Sequence, residues 1–163
     1  MPSLIRSVTA ICIVATIAFA GQSAKADGDG LIVKSSDYGV VKTLDRLGIA
    51  LERAGITVFS RIKHNRGAEK VGMTLAPTET MIFGNPKLGT PLMQSNPAIG
   101  LDLPLKAVAW QAADGSTKIA YTDPAWLAKR YGITDKEPVF KKMTGALNKF
   151  TDMATKRGML PAK

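Results

Sequence analysis

Met81-Ile82-Phe83-Gly84-Asn85-Pro86-Lys87-Leu88-Gly89-Thr90-Pro91-Leu92-Met93-Gln94 passes from an apolar, strand-like run into a turn dense in Gly, Asn and Pro. Asn85 carries an N-cap side chain, and Pro86 falls at the first helical position, where its missing N–H is of no consequence. Thr90-Pro91 and Asn96-Pro97 repeat the arrangement, so the spacing predicts short helical turns rather than one long helix. A strand that ends in a capped turn is a place where a small α+β domain presents a site.

Upstream, residues 31–34 read as a first strand. Val40, Leu44, Leu47, Leu51 and Ala54 then recur at helical spacing and give one buried face. Asp37 or Gly39 can cap that helix, and Gly55 suits the left-handed turn after it. Residues 56–62 are rich in β-branched side chains and predict a second strand. Residues 64–70 read as a polar loop, 71–75 as a short strand, 76–78 as a turn and 79–83 as a further strand.

Downstream, residues 105–111 and 117–122 flank Asp114-Gly115, a hairpin signal. Asp123-Pro124 caps a helix through Arg130, and Thr134 with Glu137 has capping-box spacing for the last helix. In that helix Val139, Met143, Leu147, Phe150 and Met153 share a face. Strand runs mixed with a hairpin predict an α+β fold: a mixed, mainly antiparallel sheet with helices packed on one face.

The first 26 residues read as a signal peptide. Arg6 gives a basic start, residues 8–20 are apolar, and Ala24-Lys25-Ala26 has the small-x-small cleavage pattern. That apolar run falls short of the roughly 20 residues a membrane span requires. The expected mature chain is periplasmic or secreted, with no membrane span, a single domain over residues 27–157 and a loose tail over 158–163. Cys12, the one cysteine, lies in the signal, so disulfides, thiol catalysis and Cys-ligated metals are excluded from the mature chain. Removing Arg6 and Lys25 from the 22 Lys and Arg leaves 20 against 13 Asp and Glu, a net charge of +7. A basic balance suits anionic partners, and for an exported chain nucleic acid is the poorest of them.

The chain resembles the uncharacterised bacterial family called domain of unknown function 302 over roughly residues 33–131. The resemblance rests on Gly55-Ile56-Thr57-Val58-Phe59, Ile62-Lys63-His64, Gly67-Ala68, the run from Phe83 to Met93, Leu101-Asp102-Leu103-Pro104-Leu105 and Tyr121-Thr122-Asp123-Pro124. It implies a compact α/β fold similar to that of the TATA-binding protein, in members that tend to dimerise, and it implies no established activity. The chain departs from relatives at Gly39-Val40-Val41-Lys42, where they often carry a Ser and Glu capping box.

Three chemistries are open to these residues. His64, the one histidine, could act as a general base in a hydrolase or metal-assisted enzyme, oriented by Glu69, Glu79 or Asp123. No Gly-x-Ser-x-Gly elbow accompanies it, and one histidine cannot build the multi-histidine shell of catalytic zinc. Met73, Met81 and Met93 with His64 have the softness for Cu(I), yet no Met-x-x-Met repeat is present. The third chemistry is an anion site. Free amides at the helical turn after Asn85, with Lys87 and Thr90 on that turn and His64 and Arg66 on the basic segment, would bind a small anion. The leading expectation is therefore a non-enzymatic domain that binds a small anionic ligand or a protein partner through His64, Arg66, Asn85, Lys87 and Thr90, with no cofactor or metal. Residues 88–103 are too apolar for an ordinary exposed loop, so they either close the core or meet a second copy in a homodimer.

Overall fold

The computed structural model describes residues 30–159, and the expected signal segment and the end of the tail lie outside the described residues. β1 (Leu31–Ser36) leads into α1 (Val40–Arg53), β2 (Thr57–Lys63), α2 (His64–Lys70) and β3 (Thr78–Gly84). α3 (Pro86–Ser95) and a 3-10 turn (Pro97–Leu101) follow, then β4 (Leu105–Gln111), β5 (Thr117–Thr122), α4 (Pro124–Arg130) and α5 (Glu137–Thr155). The five strands form one sheet in the order β1-β5-β4-β3-β2, and all four pairings are antiparallel.

Register decides which side chains are covered, because directly opposed residues of an antiparallel pair share a face. Ile32 opposes Tyr121, which opposes Ala107, which opposes Met81. These residues are buried against Leu44, Leu47 and Leu51 of α1 and Leu147, Phe150 and Ala154 of α5. The helices thus cover one face, as the sequence predicts. The opposite face presents Leu31, Val33, Thr80, Ile82, Val108 and Trp110 without a layer of helices over it. A second cluster, Leu92, Ile99, Leu127, Ile133, Phe140 and Met143, fills the space between α3, the 3-10 turn, α4 and α5.

Since β1 and β2 are opposite edges of the sheet, α1 has to cross every strand between them. Two arginines fasten it. Arg46 donates from Nε to the carbonyl of Ala154 (3.1 Å) and from Nη2 to those of Met153 (2.7 Å) and Lys156 (3.1 Å), carbonyls that the end of α5 leaves unpaired. Arg61 on β2 reaches Asp45 of α1 (2.5 Å) and the buried Glu79 of β3 (2.7 Å). Burial opposes the charge on Arg61, but its bonds to Asp45 and Glu79 outweigh that and raise its pKa.

Several local expectations are corrected. Residues 64–70 form a helix, not a loop, and it closes in a Schellman motif: Met73 N–H bonds the Ala68 carbonyl (2.9 Å) and Gly72 N–H that of Glu69 (3.1 Å). Gly72 takes φ +72, which breaks the extended path a strand over residues 71–75 would need. Gly55 closes α1 the same way, with φ +68 and the Ile56 N–H on Leu51. α3 continues through Pro91 rather than restarting there, whereas Asn96 does begin a new turn by accepting from Ala98 N–H (3.0 Å). α5 starts without a capping box: Lys136 takes the cap position, and Glu137 pairs with Lys141 (2.8 Å).

Two outcomes follow for stability. Arg61→Leu leaves Glu79 buried without its cation and is expected to cost about 3 kcal/mol in urea unfolding, with most of the loss recovered in the Arg61→Leu, Glu79→Met double variant. Burial holds the Tyr121 hydroxyl protonated and pushes its pKa from 10.0 up to about 12. Its contribution to stability is full below pH 10 and is lost as pH rises toward about 12. The melting temperature of Tyr121→Phe should therefore fall less across that window than that of the parent chain.

Candidate functional site

The signature after β3 builds a pocket, and the pocket is apolar. Gly84, Asn85, Pro86, Leu88, Gly89, Met93 and the chain around Leu103 and Pro104 meet Ile56 and Phe59 on one side and Met143, Ala146 and Phe150 of α5 on the other. They enclose about 500 Å³, within the range of about 300–1,000 Å³ typical of small-molecule sites. α5 supplies Met143, Ala146, Leu147 and Phe150 at helical spacing, so one face of it forms a continuous wall. A β-bulge between Val58 and Ser60 turns Phe59 out of the ladder and leaves it 56% exposed at the rim.

Glycine makes room. A Cβ on Gly84 would sit 3.3 Å from Pro104 Cβ and 3.5 Å from the Phe59 ring, so the strand comes closest to its neighbours there. A Cβ on Gly89 would meet only Leu103 at 3.7 Å and Met93 at 3.9 Å, so its bare backbone leaves space that a longer side chain would fill.

Asn85 is the one polar side chain in the lining, and its oxygen is already engaged. Its Oδ1 accepts from Lys87 N–H at 2.9 Å, while its backbone carbonyl accepts from Leu88 (2.9 Å) and Gly89 (3.0 Å). Pro86 has no N–H. The turn therefore offers none of the free amides on which the anion-site expectation rests. Lys87 and Thr90 are exposed on α3 and do not line the pocket. Lys87 is two residues from Gly89, roughly 200° round the helix.

His64 and Arg66 lie elsewhere. Lys63 opposes Glu79 at one end of the β2–β3 ladder and Thr57 opposes Gly84 at the other, which sets His64 and Asn85 about 20 Å apart. The five expected ligand-binding residues thus divide between two ends of the sheet. His64 is exposed, with Nε2 2.9 Å from Thr80 Oγ1 on the uncovered face. The carboxylates expected to orient it are occupied otherwise. Glu79 points to the covered face and holds Arg61, Glu69 pairs with Arg66 at 3.4 Å, and Asp123 caps α4 through Ala125 N–H at 2.9 Å. The methionines do not converge either: Met81 is in the core, Met73 is on the loop after α2, and Met93 is at the pocket. Among the described residues no group of three His, Cys, Asp or Glu is placed to hold a metal ion.

Every pocket residue but Asn85 is absent from the expected site, among them Ile56, Phe59, Gly89, Met93, Ala146 and Phe150. The signals for them were present in the amphipathic stripe of the last helix and in the apolar run of residues 88–103. Within that run Leu92 and Ile99 close the core, Leu88 and Leu103 are partly buried, and Met93 and Leu101 stay exposed at 38% and 78%.

The Domain of unknown function DUF302 matches residues 32–150, so the chain belongs to that family. It is similar to a protein named fluoride-specific ion channel FluC 1 from Brucella suis, 40% identical over 125 residues, covering 74% of this chain and 49% of that protein. FluC 1 of Brucella abortus is likewise 40% identical over 125 residues and is covered over 46% of its length. The chain thus spans about half the length of the curated relatives it matches. Among solved structures, an uncharacterised conserved DUF302 protein from Bacillus stearothermophilus shares the fold with a TM-score of 0.70 at 21% identity, over 77% of this chain and 98% of that one.

Asn85→Ala removes the cap of α3 and is expected to lower stability by about 1 kcal/mol in chemical denaturation. Lys87→Ala, on the far side of the helix, should leave both stability and pocket binding unchanged.

Proposed function

We propose that this member of the DUF302 family is an exported, non-enzymatic binding module whose ligand is a small apolar molecule held in the signature pocket. One observation carries the reading: a concave space of about 500 Å³ has a single polar side chain in its lining, and that side chain is bonded to its own helix. Apolar walls of this size favour burial of hydrocarbon or an aromatic ring, at about 25 cal/mol per Å² removed from water. The apolar ligand replaces the anionic one expected from the sequence, because the cations and amides that would bind an anion are dispersed or engaged. Fluoride, the ion in the relatives' names, gains nothing from such a wall either. Export is supported by the composition of residues 1–26, and a homodimer by the exposed Leu101 and Met93.

The relatives favour one addition. A chain similar to half of a channel-named protein works, in this reading, beside a membrane protein. The described residues contain no helix long and apolar enough to cross a membrane, so they would be an attachment to the spanning part.

Titration of the mature chain with the neutral fluorophore phenylnaphthylamine should give saturable enhancement of its emission. Ala146→Phe, which fills the pocket from the α5 wall, should abolish it while the circular dichroism spectrum is unchanged. Enhancement that survives Ala146→Phe would overturn the assignment.

A further inference from the structure

α2 and the loop after it carry a surface that the fold leaves uncovered and the pocket does not explain. No residue from Ile62 to Pro77 is buried. A seven-residue helix with no fully buried residue rests only lightly on β3, and short helices are marginal alone in water. Beyond it Val71 is 70% exposed, Met73 66% and Leu75 45%, three large apolar side chains within five residues.

The backbone that presents them is built, not loose. The Schellman bonds to Ala68 and Glu69 fix the exit from α2, and at the far end Gln111 N–H bonds the Pro77 carbonyl at 2.9 Å, returning the chain to the sheet. In many Schellman motifs the residue after the glycine packs its apolar side chain back on the helix. Here Met73 holds that position and points to solvent instead.

The charge around the three side chains selects what covers them. Lys63, Arg66 and Lys70 flank the loop, with Glu69 the one acidic residue between Lys63 and Pro77, and Glu69 is paired with Arg66. A second copy docked through this patch would bring like charges together, whereas an anionic bilayer satisfies both parts. Its headgroups attract the lysines and arginine, and its acyl boundary takes up the apolar tips, the arrangement of surface-bound membrane proteins. We propose that residues 63–75 form a membrane-docking arm that lays Val71, Met73 and Leu75 into the headgroup region of an anionic bilayer without crossing it. The arm sits at the opposite end of the β2–β3 ladder from the pocket, so docking leaves the pocket mouth away from the lipid.

Cosedimentation of the chain from residue 27 onward, which contains both core clusters, with phosphatidylglycerol or phosphatidylcholine vesicles tests this. Binding is expected to phosphatidylglycerol at low salt, weakened by added salt, and close to background on phosphatidylcholine. The Val71→Ser, Met73→Ser, Leu75→Ser triple variant should bind about tenfold more weakly, as should Lys63→Gln, Arg66→Gln, Lys70→Gln. All six positions are outside the core, so circular dichroism should not change. Absence of binding to phosphatidylglycerol overturns the proposal, and so does binding that the serine variant leaves intact, since that would report net charge alone. A dimer mass in light scattering that the serine variant reduces to a monomer, without vesicle binding, would assign the patch to a second copy instead.

Discussion

The fold depends on a helix that has to span its own sheet. Chain order makes β1 and β2 the two edges, and the single connection between them, α1, lies across all the strands that fill the gap later. Such a crossing is stabilised when the helix is apolar on one side and tied to its neighbours by polar bonds. Leu44, Leu47 and Leu51 provide the first condition, each fully buried. Near the middle of α1, Arg46 ties the helix to the last carbonyls of α5, and the adjacent Asp45 ties it to β2 through Arg61, which also holds Glu79 of β3. The buried Glu79 is acceptable in the sheet because Arg61 is there, and Arg61 is held over it because Asp45 draws it toward α1.

Most of the architecture was legible because it follows from period and punctuation. The stripe Val40, Leu44, Leu47, Leu51 defined α1, Asp114-Gly115 defined the β4–β5 hairpin, and Asp123-Pro124 the start of α4. The misreadings share a cause, which is that local signals were outweighed by bonds made over a longer span. Asn65 and Gly67 weaken a helical reading of residues 64–70, yet Gly72 supplies a C-terminal closure that makes the helix. Val71, Met73 and Leu75 alternate like a strand, and that same glycine turns the backbone out of the extended region. Thr134 had the right partner at Glu137 but stood two residues before the position a cap occupies.

Of the five expected site residues, Asn85 alone lines the pocket. Within the run from Phe83 to Met93, Phe83 to Pro86, Leu88, Gly89 and Met93 line the concave surface, and Asn85 does cap a helix. What sequence spacing could not supply is the count of donors that remain after capping. Once Asn85 serves Lys87, Leu88 and Gly89, the helix start that would attract an anion is saturated, and carbon is what remains facing the space. Nor could spacing place α5, whose Met143, Ala146 and Phe150 arrive from about 60 residues later in the chain to complete the wall.

The two ends of the β2–β3 ladder differ in what they present. At one end the chain folds an apolar surface inward, between α3 and α5, where a concave shape limits what can enter. At the other it holds apolar side chains outward on a closed turn ringed by cations, where shape imposes no limit and charge does the selecting. Exposed methionine and valine on a well-ordered loop raise the risk of aggregation. A net charge of +9 over the whole chain, concentrated in part around that loop, opposes self-association while it favours anionic surfaces. Under the two proposals, the basic character would serve an extended anionic surface and the pocket a small apolar ligand.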